Sequence, residues 1–153
     1  MQHRAAATME LLADVATILL VEDNEDDVEI ARRTIARSGV AARLIVARDG
    51  REALASLRNG FNGSSTAPAV MLLDLLLPAF HGTDVIREMR SDPRLARIPI
   101  VVVTGCTDLE LLRRCMELGT NMYVLKPLDV ADVMNILVGV KKFWPPQAQD
   151  RAA

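Results

Sequence analysis

Five polar side chains stand directly after short apolar runs of the chain. Glu22 and Asp23 follow the first run, Asp74 the third, Thr104 the fourth and Lys126 the fifth. Alone, each has an ordinary explanation, because an aspartate or threonine after a strand is most often a helix cap or turn former. Three carboxylates, a hydroxyl and an amine are together the parts of one phosphate-handling site. That joint pattern is hard to attribute to independent coincidences.

Carboxylates that converge in one cleft repel one another, and at least one would take up a proton if nothing offset the charge. A hard divalent cation offsets it, and Mg²⁺ prefers oxygen ligands. We expect Glu22 and Asp23 to hold Mg²⁺, directly or through water, while Asp74 supplies one ligand oxygen. The backbone carbonyl of Leu76 could complete the metal shell. The bland alternative is that the acidic run 22–29 only favours the positive end of a helix.

Asp74 is also the candidate nucleophile toward a phosphoryl group. In such a transfer the metal, Thr104 and Lys126 would neutralise the phosphoryl oxygens. The chemistry thus needs one carboxylate to react and the other groups to manage charge.

The apolar runs are short and rich in Val, Ile and Leu, which is typical of strands buried on both faces of a sheet. They fall at 17–21, 44–47, 70–73, 98–103 and 122–125. Helical spacing of apolar residues follows each run. The pattern predicts an α/β fold, a doubly wound five-stranded parallel sheet in the flavodoxin-like order 2-1-3-4-5 with helices on both faces. In such sheets, functional groups gather beyond the carboxyl ends of the strands.

Capping residues predict where the helices begin and end. The first two helices are expected at 26–38 and 52–58. Thr83 is the expected cap of a third, which ends near residue 90. A capping box at 107–110 opens the fourth, which Gly119 closes, and Asp129 caps a fifth that runs to about residue 142. Pro99 is unfavourable so close to the start of a central strand.

Length and composition place these elements in one domain. The chain has 153 residues, of which 50% are hydrophobic, and its net charge is −2. We expect an N-terminal extension over 1–16, the domain over 17–144 and a disordered tail over 145–153. The charge and the scarce aromatics argue against a nucleic-acid partner. Two cysteines and no long apolar run favour a cytoplasmic protein without a membrane span.

Four segments of the chain resemble the receiver domains of bacterial response regulators. They are Ile18–Asn24, Leu72–Pro78 with Gly82, Val102–Gly105 and Tyr123–Pro127. In order and at these intervals they make a specific signal, and the resemblance spans roughly 17–143.

The resemblance implies that Asp74 accepts phosphate from a phosphohistidine on a sensor histidine kinase, with Mg²⁺ required. It implies that Thr104 reorients toward the phosphoryl group and that Tyr123 changes rotamer with it. Such a domain is a two-state switch rather than a turnover enzyme, although it promotes its own phosphorylation and dephosphorylation. Leu76 and Cys106 flank the phosphate in the family, and their types leave the lifetime of the phosphorylated form open.

A finer resemblance points to regulators paired with bacterial phytochromes, which are single-domain and often dimeric. It rests on the longer loop before the third strand, the stretch 92–100 and the segment 142–144. It implies a bacteriophytochrome as kinase and a homodimer, and we expect the dimer surface around Leu111, Leu112, Met134 and the Phe143–Trp144 end. About ten residues follow the last helix, too few for a DNA-binding module, so the expected output is contact with an unknown downstream protein.

Other functions on the same fold fit the residues less well. A phosphate-independent interaction module would have no use for the complete set of five polar residues. A flavin or nucleotide carrier lacks a phosphate-binding glycine loop, and a Mg²⁺-dependent phosphatase would want a second aspartate where Leu76 stands. An EF-hand fails because Val28 occupies the glycine position and Thr34 the twelfth.

Overall fold

A computed structural model describes residues 16–60, 67–77 and 80–141. Five parallel strands form one sheet in the order β2-β1-β3-β4-β5, which confirms the predicted fold. The strands are β1 (Ala16–Val21), β2 (Ala42–Ala47), β3 (Val70–Leu73), β4 (Ile100–Thr104) and β5 (Met122–Leu125). The helices are α1 (Glu25–Arg37), α2 (Gly50–Arg58), α3 (Gly82–Ser91), α4 (Leu109–Leu118) and α5 (Val130–Lys141). The predicted extension up to residue 15, the predicted tail, Pro78 and the Phe143–Trp144 end lie outside the described residues.

The sheet is covered on both faces by separate apolar clusters. Helices α1 and α5 pack on one face, and α2, α3 and α4 pack on the other. Side chains of β3 alternate between them: Val70 and Leu72 face α1 and α5, whereas Met71 and Leu73 face the opposite cluster. Every residue of β3 and β4 is buried, as expected for central strands of a doubly wound sheet. The polar groups that follow these strands are thereby brought to one edge of a rigid layer.

Two predicted helix caps were wrong, one by two residues and the other by one. The third helix begins at Gly82 and its N-cap is His81, without a side-chain cap hydrogen bond, so Thr83 lies inside the first turn. The fourth helix is capped by Asp108, whose carboxylate accepts from the two backbone N–H groups of residues 110 and 111. Thr107 therefore precedes the cap, because a carboxylate is the stronger acceptor for the positive end of a helix.

Other boundaries follow the local signals. Gly119 ends α4 in the left-handed conformation, with φ 111°, as predicted. Asp129 accepts a hydrogen bond from the Asp132 backbone, and the Asp132 carboxylate accepts from the Asp129 backbone, which is a reciprocal capping arrangement. Pro99 lies outside β4, which begins one residue later, and the Pro99 carbonyl accepts from Met71 N at 2.9 Å. The proline carbonyl thus serves as an acceptor next to the sheet. Because proline has no N–H, its place before the strand leaves no donor missing from β4.

Arg90 ties α3 to the segments that lead into β4 and β5. Its guanidinium donates to the carbonyls of Gly119, Ala96 and Ile98 at 2.8–2.9 Å and to Asn121 Oδ1 at 3.2 Å. Burial lowers the pKa of this arginine from its ordinary value. The contacts satisfy carbonyls that regular structure leaves without partners, and they set where the last two strands start.

The start of α3 approaches the end of β3 very closely. Gly82 N donates to the Leu75 carbonyl at 3.3 Å. A β-carbon at Gly82 would lie 2.8 Å from both the Asp74 carbonyl oxygen and the Leu75 α-carbon. Both are backbone atoms, so they could yield only by moving the segment that carries Asp74.

We expect Gly82→Ala to lower the free energy of unfolding by about 1–3 kcal/mol, because overpacking against backbone cannot be relieved by a rotamer change. Gly139→Ala is the matched control: it lies within α5 and a β-carbon there would meet nothing within 4 Å. That variant should gain about 0.5–1 kcal/mol from helix propensity. Urea denaturation measures both changes, and equal stability of Gly82→Ala and the wild type would show that the close approach is not tight.

Candidate functional site

The carboxyl ends of β1 and β3, which are neighbours in the sheet, bring three acids together. Oxygens of Glu22, Asp23 and Asp74 all lie within 4.8 Å of one another. Glu22 is 2% exposed and Asp74 6% exposed, whereas Asp23 faces solvent. The donor set is wholly carboxylate oxygen, and it fits a hard cation such as Mg²⁺ that keeps part of its water shell.

Lys126 follows β5 and reaches into this cluster. Its Nζ donates to Glu22 Oε1 at 2.5 Å, to Asp27 Oδ2 at 2.8 Å and to Asp74 Oδ2 at 3.0 Å. An ammonium group has three donors, and here each has a carboxylate acceptor. The backbone is held as well, because Lys126 N donates to the Thr104 carbonyl at 2.9 Å.

The electrostatics of the cluster follow from burial and proximity. Burial raises the pKa of Glu22, the nearby Asp74 charge adds to that, and hydrogen bonds from Lys126 and the Asn24 backbone only partly oppose it, so the pKa stays above its ordinary value. Burial alone would lower the pKa of Lys126, but its hydrogen bonds to Asp27, Glu22 and Asp74 outweigh burial and raise it. The lysine therefore stays charged, and the acids around it outnumber it.

Asp74 has both carboxylate oxygens engaged. Leu76 N donates to Oδ1 at 3.2 Å, while Lys126 holds Oδ2. The Leu76 side chain is exposed, so its apolar type costs the site nothing in packing. The metal-ligand role of the Leu76 carbonyl stays a prediction.

Thr104 and Tyr123 lie on the two strands beyond the acidic cluster. Thr104 ends β4 and is fully buried, and its Oγ1 accepts from Cys106 N at 3.2 Å. Tyr123 lies in β5, opposite Val102 in the strand register, and its side chain is 43% exposed. The two predicted switch residues therefore differ in environment, one enclosed by the sheet and one at the surface.

Asp27 is a site residue that the sequence interpretation missed. It belongs to the acidic run that was explained by the positive end of the helix, and its N–H does donate to the capping Asn24 at 3.0 Å. No local signal singles it out, because Asp26 and Asp27 both lie in the first turn of α1, where acids are expected for the positive end of the helix alone. Only the position of Lys126, distant in sequence, distinguishes it from Asp26.

The sequence matches the model of the response regulator receiver domain over residues 18–138. The chain belongs to this family. In the part of this receiver that the structure describes, no helix is long and apolar enough to cross a membrane.

Three similar proteins place the receiver within the family. The probable methanogenesis regulatory protein FilR2 of Methanothrix harundinacea is 37% identical over 131 residues, which is 86% of this chain and 84% of that protein. The bacteriophytochrome response regulator AtBRR has a solved structure with a TM-score of 0.75 and 35% identity, covering 86% of this chain and 96% of the other. The phosphorylated cyanobacterial phytochrome response regulator RcpA has a TM-score of 0.69 at 35% identity, covering 85% and 94%. The likeness therefore extends over nearly the whole length of each protein.

We expect Mg²⁺ to stabilise this receiver, because a ligand that binds only the folded state adds RT ln(1 + [L]/Kd) to the free energy of unfolding. At a Mg²⁺ concentration ten times the dissociation constant the gain is about 1.4 kcal/mol. Asp23→Asn should lose most of the gain, and Asp26→Asn, which removes an equal charge from the exposed first turn of α1, should keep it. Urea denaturation with Mg²⁺ and with EDTA gives the values, and an equal gain in both variants would place the cation elsewhere.

Proposed function

We propose that this receiver accepts a phosphoryl group on Asp74 from the phosphohistidine of a sensor histidine kinase, in a reaction that requires Mg²⁺. The observation that supports it most is the state of Asp74: nearly buried, held at one oxygen by a backbone N–H and at the other by Lys126, and beside two further carboxylates. A carboxylate in a plain structural role has no need of that surrounding.

In the proposed transfer, an Asp74 oxygen forms the bond to phosphorus as the bond from phosphorus to the histidine nitrogen breaks, and the electron pair stays on the imidazole. Glu22, Asp23, Asp74 and the Leu76 carbonyl are the candidate ligands of Mg²⁺, which supplies positive charge beside the phosphoryl oxygens. Lys126 already lies 3.0 Å from Asp74, so its ammonium can pass from the carboxylate to a phosphoryl oxygen without a large movement.

The change of charge at Asp74 is proposed to reach the surface through Thr104 and Tyr123. Thr104 Oγ1 accepts a hydrogen bond from Cys106 N. A hydroxyl that accepts in this way can still donate its own proton to a phosphoryl oxygen. If Thr104 turned toward the phosphoryl group, space behind it would open for the exposed Tyr123 ring. This is a two-state element of the kind that converts a local charge into a new surface.

For the kinase, we propose a bacteriophytochrome. The support is the identity of 35% to two response regulators described as phytochrome or bacteriophytochrome partners, each spanned over more than nine-tenths of its length. FilR2, at similar identity, carries a different regulatory description. Phosphotransfer from a purified bacteriophytochrome is compared with phosphotransfer from an unrelated histidine kinase. Faster transfer from the bacteriophytochrome supports the proposal, and equal transfer from both contradicts it.

The acceptor is tested by intact mass after incubation with acetyl phosphate. We expect one phosphate adduct with Mg²⁺ and none with EDTA, because the phosphoryl charge needs the cation. Asp74→Asn should lose the adduct, while Asp84→Asn, which changes an exposed aspartate of α3, should retain it. A folded wild type without an adduct in any condition would favour the alternative, a phosphate-independent interaction module.

We further propose that the receiver is a homodimer, and that α4, β5 and α5 form its surface. Among the described residues, most exposed large apolar side chains lie on these elements: Leu109, Met116, Tyr123, Leu125, Met134 and Val138. An apolar surface of this kind is a common mark of an interaction site. The same surface is available to a downstream protein.

The predicted composition of that surface needs one correction. Leu112 is 2% exposed and belongs to the core beneath α4, and Leu111 packs partly against the same core. Met134 is exposed as predicted. Leu112 was misplaced because the buried side of α4 is set by its contact with the sheet, not by hydrophobicity alone.

Sedimentation velocity tests the dimer. We expect the wild type to be dimeric at high protein concentration and Val138→Glu to be monomeric, because a charge would be desolvated in an apolar interface. Ile30→Glu, an equal change at an exposed residue of α1, should leave the dimer intact. A monomeric wild type, with and without beryllofluoride, would contradict the proposal.

A further inference from the structure

One partner of Lys126 lies outside the acidic cluster suited to a cation. The cluster comprises Glu22, Asp23 and Asp74, whereas Asp27 stands on α1 and, among the described residues, its carboxylate accepts from the lysine alone, at 2.8 Å. Of the three carboxylates that accept from Lys126, Asp27 is therefore the one outside the candidate cation site.

This difference would matter once a cation and a phosphoryl group were bound at the site. If Glu22 and Asp74 turned toward a cation and a phosphoryl group, two of the three ammonium donors would lose their present acceptors. The Asp27 contact would persist, and it would hold Nζ beside Asp74 with a donor still available for a phosphoryl oxygen. The contact is a charged hydrogen bond, which is roughly twice as strong as a neutral one.

Asp27 is well placed to act as a fixed point. Its backbone N–H donates to the Asn24 cap, which sets the first turn of α1. Further along α1, Thr34 Oγ1 donates to the Leu128 carbonyl at 3.3 Å, two residues after the lysine. Helix and lysine segment are therefore joined at two points.

The Lys126 side chain also has a small space into which it could turn. A cavity of about 20 Å³ lies beside Lys126, lined also by Asp27, Glu22 and apolar side chains of β1, β3, β4 and α1. That is room for about one water molecule. An ammonium without the Asp27 contact could turn toward this space and away from Asp74.

We propose that Asp27 is a positioning residue that holds the Lys126 ammonium beside Asp74 independently of metal. Its consequence, tighter binding of a phosphoryl group, rests on the proposed function. Asp27 touches neither the phosphoryl group nor the cation, and acts only through the lysine.

The contact itself is tested by ¹H–¹⁵N spectra of the lysine ammonium groups, without metal or phosphate. The chain has lysines only at 126, 141 and 142, so Lys126→Arg identifies the signal. In Asp27→Asn we expect the Lys126 ammonium protons to exchange with water about tenfold faster, the scale of one charged hydrogen bond. Asp26→Asn, an equal charge change at the exposed neighbour, should leave the rate unchanged, and Asp27→Glu, which keeps the carboxylate, should stay close to the wild-type rate.

The consequence is tested by titration of each variant with beryllofluoride at saturating Mg²⁺, followed by backbone amide spectra. We expect Asp27→Asn to weaken beryllofluoride binding about tenfold and to change Mg²⁺ affinity less than twofold. A simple loss of negative charge would do the reverse, since it weakens cation binding and favours an anion.

The outcomes separate cleanly. Equal ammonium exchange in Asp27→Asn and Asp26→Asn overturns the proposal, as does unchanged or tighter beryllofluoride binding in Asp27→Asn. A wild type that binds no beryllofluoride contradicts the proposed function instead. In that case faster ammonium exchange in Asp27→Asn would still support Asp27 as the residue that holds the lysine.

Discussion

The ammonium group of Lys126 among three carboxylates is the interaction on which the rest of the site depends. Glu22 and Asp74 are nearly removed from solvent, and a buried carboxylate without a partner would be protonated or would destabilise the fold. One lysine compensates only part of the negative charge, and the pKa of Glu22 stays above its ordinary value, first because the carboxyl is buried and then because Asp74 is close. The cluster consequently keeps negative charge that a cation could offset.

The sheet makes this arrangement possible by holding the acids where flexible segments could not. Glu22 and Asp74 follow adjacent strands whose last four residues are buried, so neither can withdraw without disturbing the core. Gly82 lets α3 begin against the backbone of Asp74, and Arg90 ties together the approaches to β4 and β5. The geometry of the charged groups is thus set by apolar packing and backbone contacts some distance from the chemistry.

The molecule separates its charged edge from its apolar surface. Acids and the lysine occupy the carboxyl edge of the sheet, whereas the exposed apolar side chains lie mostly on α4, β5 and α5. Strands β4 and β5 belong to both regions, because they carry Thr104 and Tyr123 within the sheet and deliver Lys126 to the site. The charged edge and the apolar surface are therefore linked through elements that belong to both.

The order of the elements, the parallel sheet and the meeting of Glu22, Asp23, Asp74 and Lys126 at one edge followed from the sequence itself. Short apolar runs that end in polar residues are local patterns, and the topology of a doubly wound sheet follows from their alternation with helices. Strands β3 and β5 were predicted at their observed bounds for this reason. Tertiary structure decided the finer points: the caps of α3 and α4, the burial of Leu112 and the contact of Asp27 with Lys126. Each depends on which neighbour a helix contacts and on how the helix is rotated about its axis. Such contacts join residues that are far apart in the chain, as Asp27 and Lys126 are, and no local pattern connects them.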